Sequence, residues 1–577
     1  MKVANLDFSQ SAAVEIDPGE RQIIVAGPGS GKTEVVAALV AYLVRAQGLD
    51  PAFELLVISY SRAAIHAMNR RLRAADVQSA ASIRTLDSLA QQIVLEAYGE
   101  EISGRGMFDA RVSRATEAVR SSAWAGIEEV EHLVVDEVQD VVGQRAELLL
   151  ALVESLPPRS GFTLLGDPAQ AIYDYQLSTT HPMTSGELLD LIGKRSGVAR
   201  RELTGSYRAT TRQTRAAVAL RHGAGQGLEL GADAVHDFVT DLTPITDEEI
   251  ARLAASQRSS FAVLTDTNGQ ALMEVQRLWR AGIPALIRRR ATSSVIDRWV
   301  AELLVERAVW TFDDFAEVVG DADVATDRWR ALRRRDGPRT IETRDLALRL
   351  RRRALPAELI ASDPDVPVVS TIHRAKGLEF DSIVLARYPA RYDDDRDSAQ
   401  IARVEYVGLT RAQSRLNSIE RDSYPHILHR DRSDDRWLRS WKKKSAVKAL
   451  EIRGEDVDRT VPPADEDASV VQHHLSSAVR PGDPLVLEYD WTSADVPHWL
   501  VKHDGVTVGR TTLEFGTAAR QVLHGKIEMN LKDVHVECVE TVVGEPVDGL
   551  PGRVGRHGLW LGVRPVGLAC REWQETQ

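Results

Sequence analysis

Residues 23–36 read IIVAGPGSGKTEVV, and few folds accommodate such a run. Residues 22–26 have the unbroken apolar character of a buried parallel strand, and 34–45 the spacing of a helix with one apolar face. Between them Gly27, Gly29 and Gly31 allow backbone angles that side chains forbid. Successive N–H groups can then turn inward on a phosphate at the helix N-terminus. In that arrangement Lys32 reaches the β- and γ-phosphates and Thr33 ligates Mg2+. One letter departs from the general GxxxxGK[ST] pattern, Ala26 standing at its first glycine. The competing reading is a glycine turn ahead of an ordinary helix, and the intact Gly-Lys-Thr between strand and helix weighs against it.

A nucleotide site of this kind needs a second strand carrying acids. HLVVDEVQD (132–140) supplies one: Leu133 to Val135 as a buried strand, then Asp136-Glu137 at its carboxyl end, where open α/β sheets bind ligands. Asp136 would hold Mg2+ through water, and Glu137 would polarise the attacking water as general base. TLLGDPAQAIYDY (163–175) adds a third strand over 163–165 and a polar loop. Its Gln170 can hydrogen-bond the γ-phosphate or the water and register its loss.

The chain has 577 residues, too many for one core, so about three to five structural units are expected. With 43% hydrophobic and 27% charged residues it reads as globular. No apolar run is long enough for a bilayer, and no secretion signal is read at the N-terminus. Two cysteines, Cys538 and Cys570, exclude a disulfide framework or a four-cysteine zinc site, so a reducing, cytoplasmic setting is expected. A net charge of −12 argues against a non-specific coat for nucleic acid, though not against a local basic groove.

Taken together, these segments resemble the UvrD-like branch of superfamily 1 DNA helicases. Ala-Gly-Pro-Gly-Ser-Gly-Lys-Thr is a usual form of that family's phosphate loop, and FSQSAAV (8–14) places Gln10 where the family has its adenine-reading glutamine. VISYSRAAIHAM (57–68) and SIRTLDSLA (82–90) look like the two DNA-contacting motifs, and VVDEVQD and LLGDPAQAIYDY match the next two. LTGSYRAT (203–210) resembles the fourth, with the strand and helix of residues 261–287 after it. VVSTIHRAKGLEFDSIVL (368–385) and EYVGLTRAQSRL (405–416) match the last two. The motifs fall in family order over residues 1–420.

The resemblance implies an α/β protein of two RecA-like parallel-sheet lobes that clasp Mg·ATP. The first lobe is expected at 1–202, with a reduced helical insertion at about 90–130. The second is expected at 203–290 and 366–450. It also implies that Arg208 and Arg411, both on the second lobe, act as arginine fingers beside the catalytic Lys32, Asp136, Glu137 and Gln170. Gln10, Gly27, Gly29, Ser30, Gly31, Lys32 and Thr33 would hold ATP, with Tyr207 stacked on adenine and Glu379 on the ribose. Single-stranded DNA would lie on Tyr60, Tyr173 and Tyr175, with Arg62, Thr85 and His373 on phosphate or sugar. Two letters depart from the DNA motifs: Ala63 stands for the usual lysine, and Asp87 for a histidine. A carboxylate there weakens the grip unless it faces away.

Both insertions are short. Residues 291–365 are expected to be a helical insertion: VIDRWVAELLVERAVW (295–310) shows an apolar stripe, and 328–353 holds eleven Arg against three acids, a phosphate-tracking or partner-docking patch or a solvated face. RWLRSWKKKSAVKALEIR (436–453) is read as a closing helix, 451–470 as a linker, and 471–577 as a small β-rich domain. Within it Asp504-Gly505 turns a hairpin and a helix lies near 517–524. The implied activity is ATP-dependent translocation on single-stranded DNA, 3′ to 5′, with unwinding of duplex. The rival is an ATPase subunit of a larger complex, antiviral helicase–nuclease or RNA-polymerase-associated, stimulated by nucleic acid or by a protein partner and without autonomous unwinding; such a partner would dock on the basic insertion or the C-terminal domain. A nucleotide-bound switch or scaffold is disfavoured, because Glu137 and both fingers are present.

Overall fold

The computed structural model describes residues 6–59, 82–99, 102, 106–222, 231–255, 260–288, 295–333, 339–352, 359–360, 366–389, 396–421, 427–431, 434–440, 447–463, 467–492, 496–523 and 528–571. The chain forms two compact units, one of residues 1–243, 375–383 and 392–417, the other of 244–374, 384–391 and 418–577.

Among the described residues the first unit is built on a six-stranded sheet. Its strands are β1 (Arg21–Ala26), β2 (Leu55–Ser59), β3 (Ser82–Arg84), β4 (His132–Asp136), β5 (Gly161–Gly166) and β6 (Val198–Leu203), in the order β3-β2-β4-β5-β1-β6. All the pairings are parallel, with Ile24 opposite Leu165 and Val134 opposite Thr163. Such strands are covered on both faces, which is why β2, β4 and β5 are buried throughout. One face is closed by the helix Lys32–Arg45 through Val36, Leu39, Val40 and Leu43. The other is closed by the helices Leu86–Tyr98, Met107–Arg120, Gln144–Ser155 and Ser185–Gly193. The two helices of the expected insertion thus help build this core, through Ile93, Val94, Val112 and Val119 against Leu133 and Val135.

The second unit holds a sheet of β7 (Phe261–Thr265), β8 (Leu286–Ile287), β11 (Val368–Thr371), β12 (Phe380–Arg387) and β13 (Ala412–Glu420), ordered β13-β12-β7-β11-β8. β7, β8 and β11 run parallel, and β12 and β13 pass from one unit into the other. This is the second RecA-like sheet. The described residues of 296–352 form four short helices around a small antiparallel pair, β9 (Val309–Trp310) with β10 (Ile341–Glu342). Only 299–304 of the expected helix over 295–310 is helical, because Val309 and Trp310 pair with β10. Trp299, Trp310, Phe315 and Trp329 fill its core. Its arginines are partly engaged inside the fold: Arg328 lies 4.5 Å over the Trp299 ring, Arg349 donates to the Leu332 carbonyl and Arg351 pairs with Glu545.

The C-terminal sheet is separate and antiparallel. It comprises β14 (Ile427–Arg430), β15 (Trp437–Ser440), β16 (Val447–Ile452), β17 (Pro484–Tyr489), β18 (Trp499–His503), β19 (Val506–Arg510), β20 (Leu531–Val543) and β21 (Leu559–Arg571). Asp504 and Gly505 both take positive φ at the β18–β19 turn, and a helix spans Leu513–Val522. Two expectations are corrected here. Residues 436–453 hold no closing helix in their described part: β15 and β16 pair with each other, and β16 lines up along β21, so long-range pairing overrides the helix preference of the Lys-Ala-Leu stretch. Residues 451–470 are not a free linker either. Asp456 is buried in a two-pronged bond to Arg436 at 2.6 and 2.7 Å, and Val457 bridges to Thr511. The antiparallel sheet therefore begins at residue 427 rather than 471, and the second parallel sheet ends with β13. Among the described residues no helix is long and apolar enough to cross a membrane.

Candidate active site

The loop after β1 has the backbone that its glycines permit, with φ of 71° at Gly29 and 83° at Gly31. Ser30 closes it by donating Oγ to the Gly27 carbonyl at 2.8 Å. Gln10 pins it from outside, donating Nε2 to the Ser30 carbonyl at 2.9 Å, and is held by a capping box with Asp7. Lys32 and Thr33 open the helix that follows. The Lys32 ammonium donates to the Ala26 carbonyl at 3.1 Å and lies 4.0 Å from Glu137.

The strands explain why the acids reach this loop: β4 and β1 are each neighbours of β5, and both end at the same edge of the parallel sheet. Asp136 is the last residue of β4 and is buried. Glu137 follows in a left-handed conformation (φ 56°, ψ 43°), strain of the kind that sites retain for function. Burial, then the neighbouring Glu137, pushes the Asp136 carboxyl up to about 7. Burial also pushes Glu137 up, but Lys32, Lys376, Gln139 and Arg411 outweigh it and hold that carboxyl down at about 2. Glu137 is thus an ionised acceptor at neutral pH.

Arg411 and Arg208 both bond within the unit that holds the loop. Gln170 is buried with its amide fixed at both ends: Nε2 donates to Asp167 at 2.7 Å, and Oε1 accepts from Arg411 Nη2 at 3.1 Å. Arg411 is buried, with Nε on the Val407 carbonyl at 3.0 Å, and burial and Arg208 lower its guanidinium to about 9. Arg208 packs against Gly29, where an added Cβ would lie 2.5 Å from the Arg208 Cβ, and the preceding backbone N–H, from Tyr207, donates to the Gly29 carbonyl at 2.8 Å. Arg208 donates to Glu379 at 2.6 Å and to the Thr410 carbonyl at 3.0 Å, and its buried Nε finds no acceptor among the described residues. A buried donor without an acceptor suits an anion. Glu379 is bonded to Arg208 and Gln413, and Tyr207, 59% exposed, donates its hydroxyl to Asp7. Where the resemblance puts both arginines on the second lobe, they fall in the same compact unit as Lys32, Arg208 within residues 1–243 and Arg411 within residues 392–417.

Sequence reasoning passed over three side chains here. Lys376 bonds to Asp140 and to the Gln170 carbonyl (2.7 Å), and Gln139 donates to Glu137 while accepting from the Asp167 N–H at 3.0 Å. Both lie inside recognised motifs, which was the available signal. Arg221 lies in none.

Of the DNA-contact candidates, Tyr60 and Arg62, with Ala63, lie outside the described residues. Thr85 caps the helix Leu86–Tyr98 by accepting from the Ser88 N–H. Tyr173 lies 5.4 Å beneath the Lys376 ammonium and 5.9 Å from the Tyr175 ring, which is 69% exposed. His373 belongs to the other unit, on the short helix after β11. Asp87 is paired with Arg145 at 2.7 Å, so its charge is largely met inside the protein.

A phosphate loop on one parallel strand, acids at the end of another and buried arginines beside them define a P-loop NTPase. Residues 10–176 match the family model described as an AAA domain, and 342–420 the UvrD-like helicase C-terminal domain. No curated protein matches the chain. Among solved structures it resembles the Pif1 helicase from Candida albicans (13% identity, TM-score 0.36, 72% of this chain and 94% of that one). It also resembles the Pif1 helicase from Bacteroides in complex with ADP-AlF3 and ssDNA (14%, 0.36, 72% and 92%). Those likenesses are too loose to add weight. Together the two matched segments support a UvrD-like superfamily 1 helicase, an ATP-hydrolysing DNA helicase.

Proposed function

We propose that this protein moves along single-stranded DNA, 3′ to 5′, by hydrolysing Mg·ATP at the site around Glu137. The observation that carries the reading is the convergence of Lys32, Lys376 and Arg411 on one half-buried, ionised glutamate beside a phosphate loop. Lys32 and the loop N–H groups hold the β- and γ-phosphates, and Thr33 and Asp136 hold Mg2+. Among the described residues no group of three or more Asp, Glu, His or Cys side chains is placed to hold a metal ion, so Mg2+ would be held by Thr33 and Asp136 together with the phosphates; burial raises the Asp136 carboxyl toward protonation, a penalty that a divalent cation would relieve. Glu137 orients and polarises the water, Gln170 reads the γ-phosphate, and Arg208 and Arg411 meet the charge that develops on transfer. Tyr173 and Tyr175 offer stacking faces to bases. The polarity rests on the family resemblance alone.

The test is hydrolysis measured with single-stranded DNA, RNA, blunt duplex and no polymer, together with strand displacement on 3′- and 5′-tailed duplexes. Stimulation by single-stranded DNA and displacement from the 3′ tail are expected. Hydrolysis indifferent to every polymer would favour the rival, an ATPase awaiting a protein partner.

A further inference from the structure

The helix Arg212–Ala219 ends in a short turn, Leu220–His222, that carries Arg221. The Arg221 side chain is 5% exposed and lies against the first glycine of the phosphate loop: a Cβ built on Gly27 would fall 2.1 Å from Nη1 and 3.2 Å from Cζ. Nη2 stands 3.7 Å from Asp167 and 3.8 Å from Glu202, and it has no hydrogen-bond acceptor among the described residues. Asp167 is fully buried and accepts from the Ala169 N–H and from Gln170 Nε2, while Gln170 presents Oε1 to Arg411. One chain of side chains therefore joins the loop to a candidate finger: Gly27, Arg221, Asp167, Gln170, Arg411.

We propose that Arg221 is a positioning residue for ATP hydrolysis. It meets the buried charge of Asp167, so that this carboxylate keeps the Gln170 amide turned with its nitrogen inward and its oxygen toward Arg411. An amide released from that bond can turn over and present a donor to a guanidinium that has only donors. The same guanidinium fills the space beside Gly27, so the loop requires glycine there for as long as Arg221 is present. Arg221 touches no reacting atom and acts through Asp167 and the loop.

The inference rests on hydrolysis at this site, and the test separates the two. kcat and KM for ATP are measured for the full chain and for R221A, R221K, G27A and G27A/R221A, with thermal melting as the check on folding. R221A is expected to lower kcat on the order of 10- to 100-fold, the scale of a small misplacement of reacting groups, while KM moves less than about three-fold. R221K should recover part of kcat. G27A should be damaging alone and add little in the R221A background. Unchanged kcat in R221A overturns the proposal. So does a parallel fall of kcat, ATP affinity and melting temperature that lysine does not relieve, since that describes a space-filling side chain. Should R221A not fold, R221K and G27A decide: a lowered kcat at unchanged KM in R221K supports it, and wild-type kcat in both overturns it. A wild-type protein with no hydrolysis contradicts the reading of the site instead.

Discussion

In the proposed reaction Glu137 carries the chemistry. It is ionised although half-buried, it occupies a left-handed backbone conformation, and three cations face it. The near-isosteric E137Q should therefore reduce turnover by about 100-fold or more while leaving the melting temperature close to wild type. K32A should do likewise, through loss of the phosphate contact. Turnover at the wild-type rate in E137Q would remove the general-base assignment. Tyr175, exposed beside Tyr173, makes a second residue-level prediction. Y175A should weaken stimulation by single-stranded DNA more than basal hydrolysis, and equal losses would count against stacking. A stacked base is worth about 1–3 kcal/mol, so the apparent affinity for an oligonucleotide should fall by about five-fold or more.

At the level of elements, the first sheet carries a titratable group at its centre. His132, on β4, is buried with Nδ1 on the Pro18 carbonyl and Nε2 on the Thr163 hydroxyl, and Thr163 also accepts from Gln22 across β5 and β1. Burial lowers the ring to about 4, so it stays neutral, with its proton on Nδ1. The unfolded chain takes up a proton first as pH falls, so the contribution of the neutral ring is complete above about 6.5 and is lost on going toward 4. Denaturant unfolding of the first unit should lose about 3 kcal/mol from this ring across that window, and H132Q should flatten the acid limb. An unchanged limb in H132Q would mean that other groups govern it.

The elements also show where sequence and structure part. The strand–loop–helix at 22–45 and the strand before Asp136 were readable, because apolar runs bounded by glycine or by acids carry their own periodicity. Residues 436–453 were misread because their partner, β21, lies more than a hundred positions away, and a local pattern cannot weigh that pairing. The expected linker failed for a related reason: its acidic letters suggest solvent, yet Asp456 is buried against Arg436. In the site, motif residues were found by their neighbours in sequence, whereas Arg221 reaches Gly27 only through the fold.

For the whole molecule, the residues that gather around the phosphate loop, from Gln10 through Arg208 to Lys376 and Arg411, fall within one compact unit that the chain enters three times. The central claim is that this unit is a hydrolytic centre to which residues remote in sequence contribute a positive charge. The most direct measurement is steady-state phosphate release from Mg·ATP by the wild type and by R411A, with saturating unstructured oligonucleotide. The expected result is a robust wild-type rate that falls about 1000-fold or more in R411A, the scale of a lost arginine finger, with both proteins folded. Equal rates in the two proteins, or no release by the wild type, would contradict it.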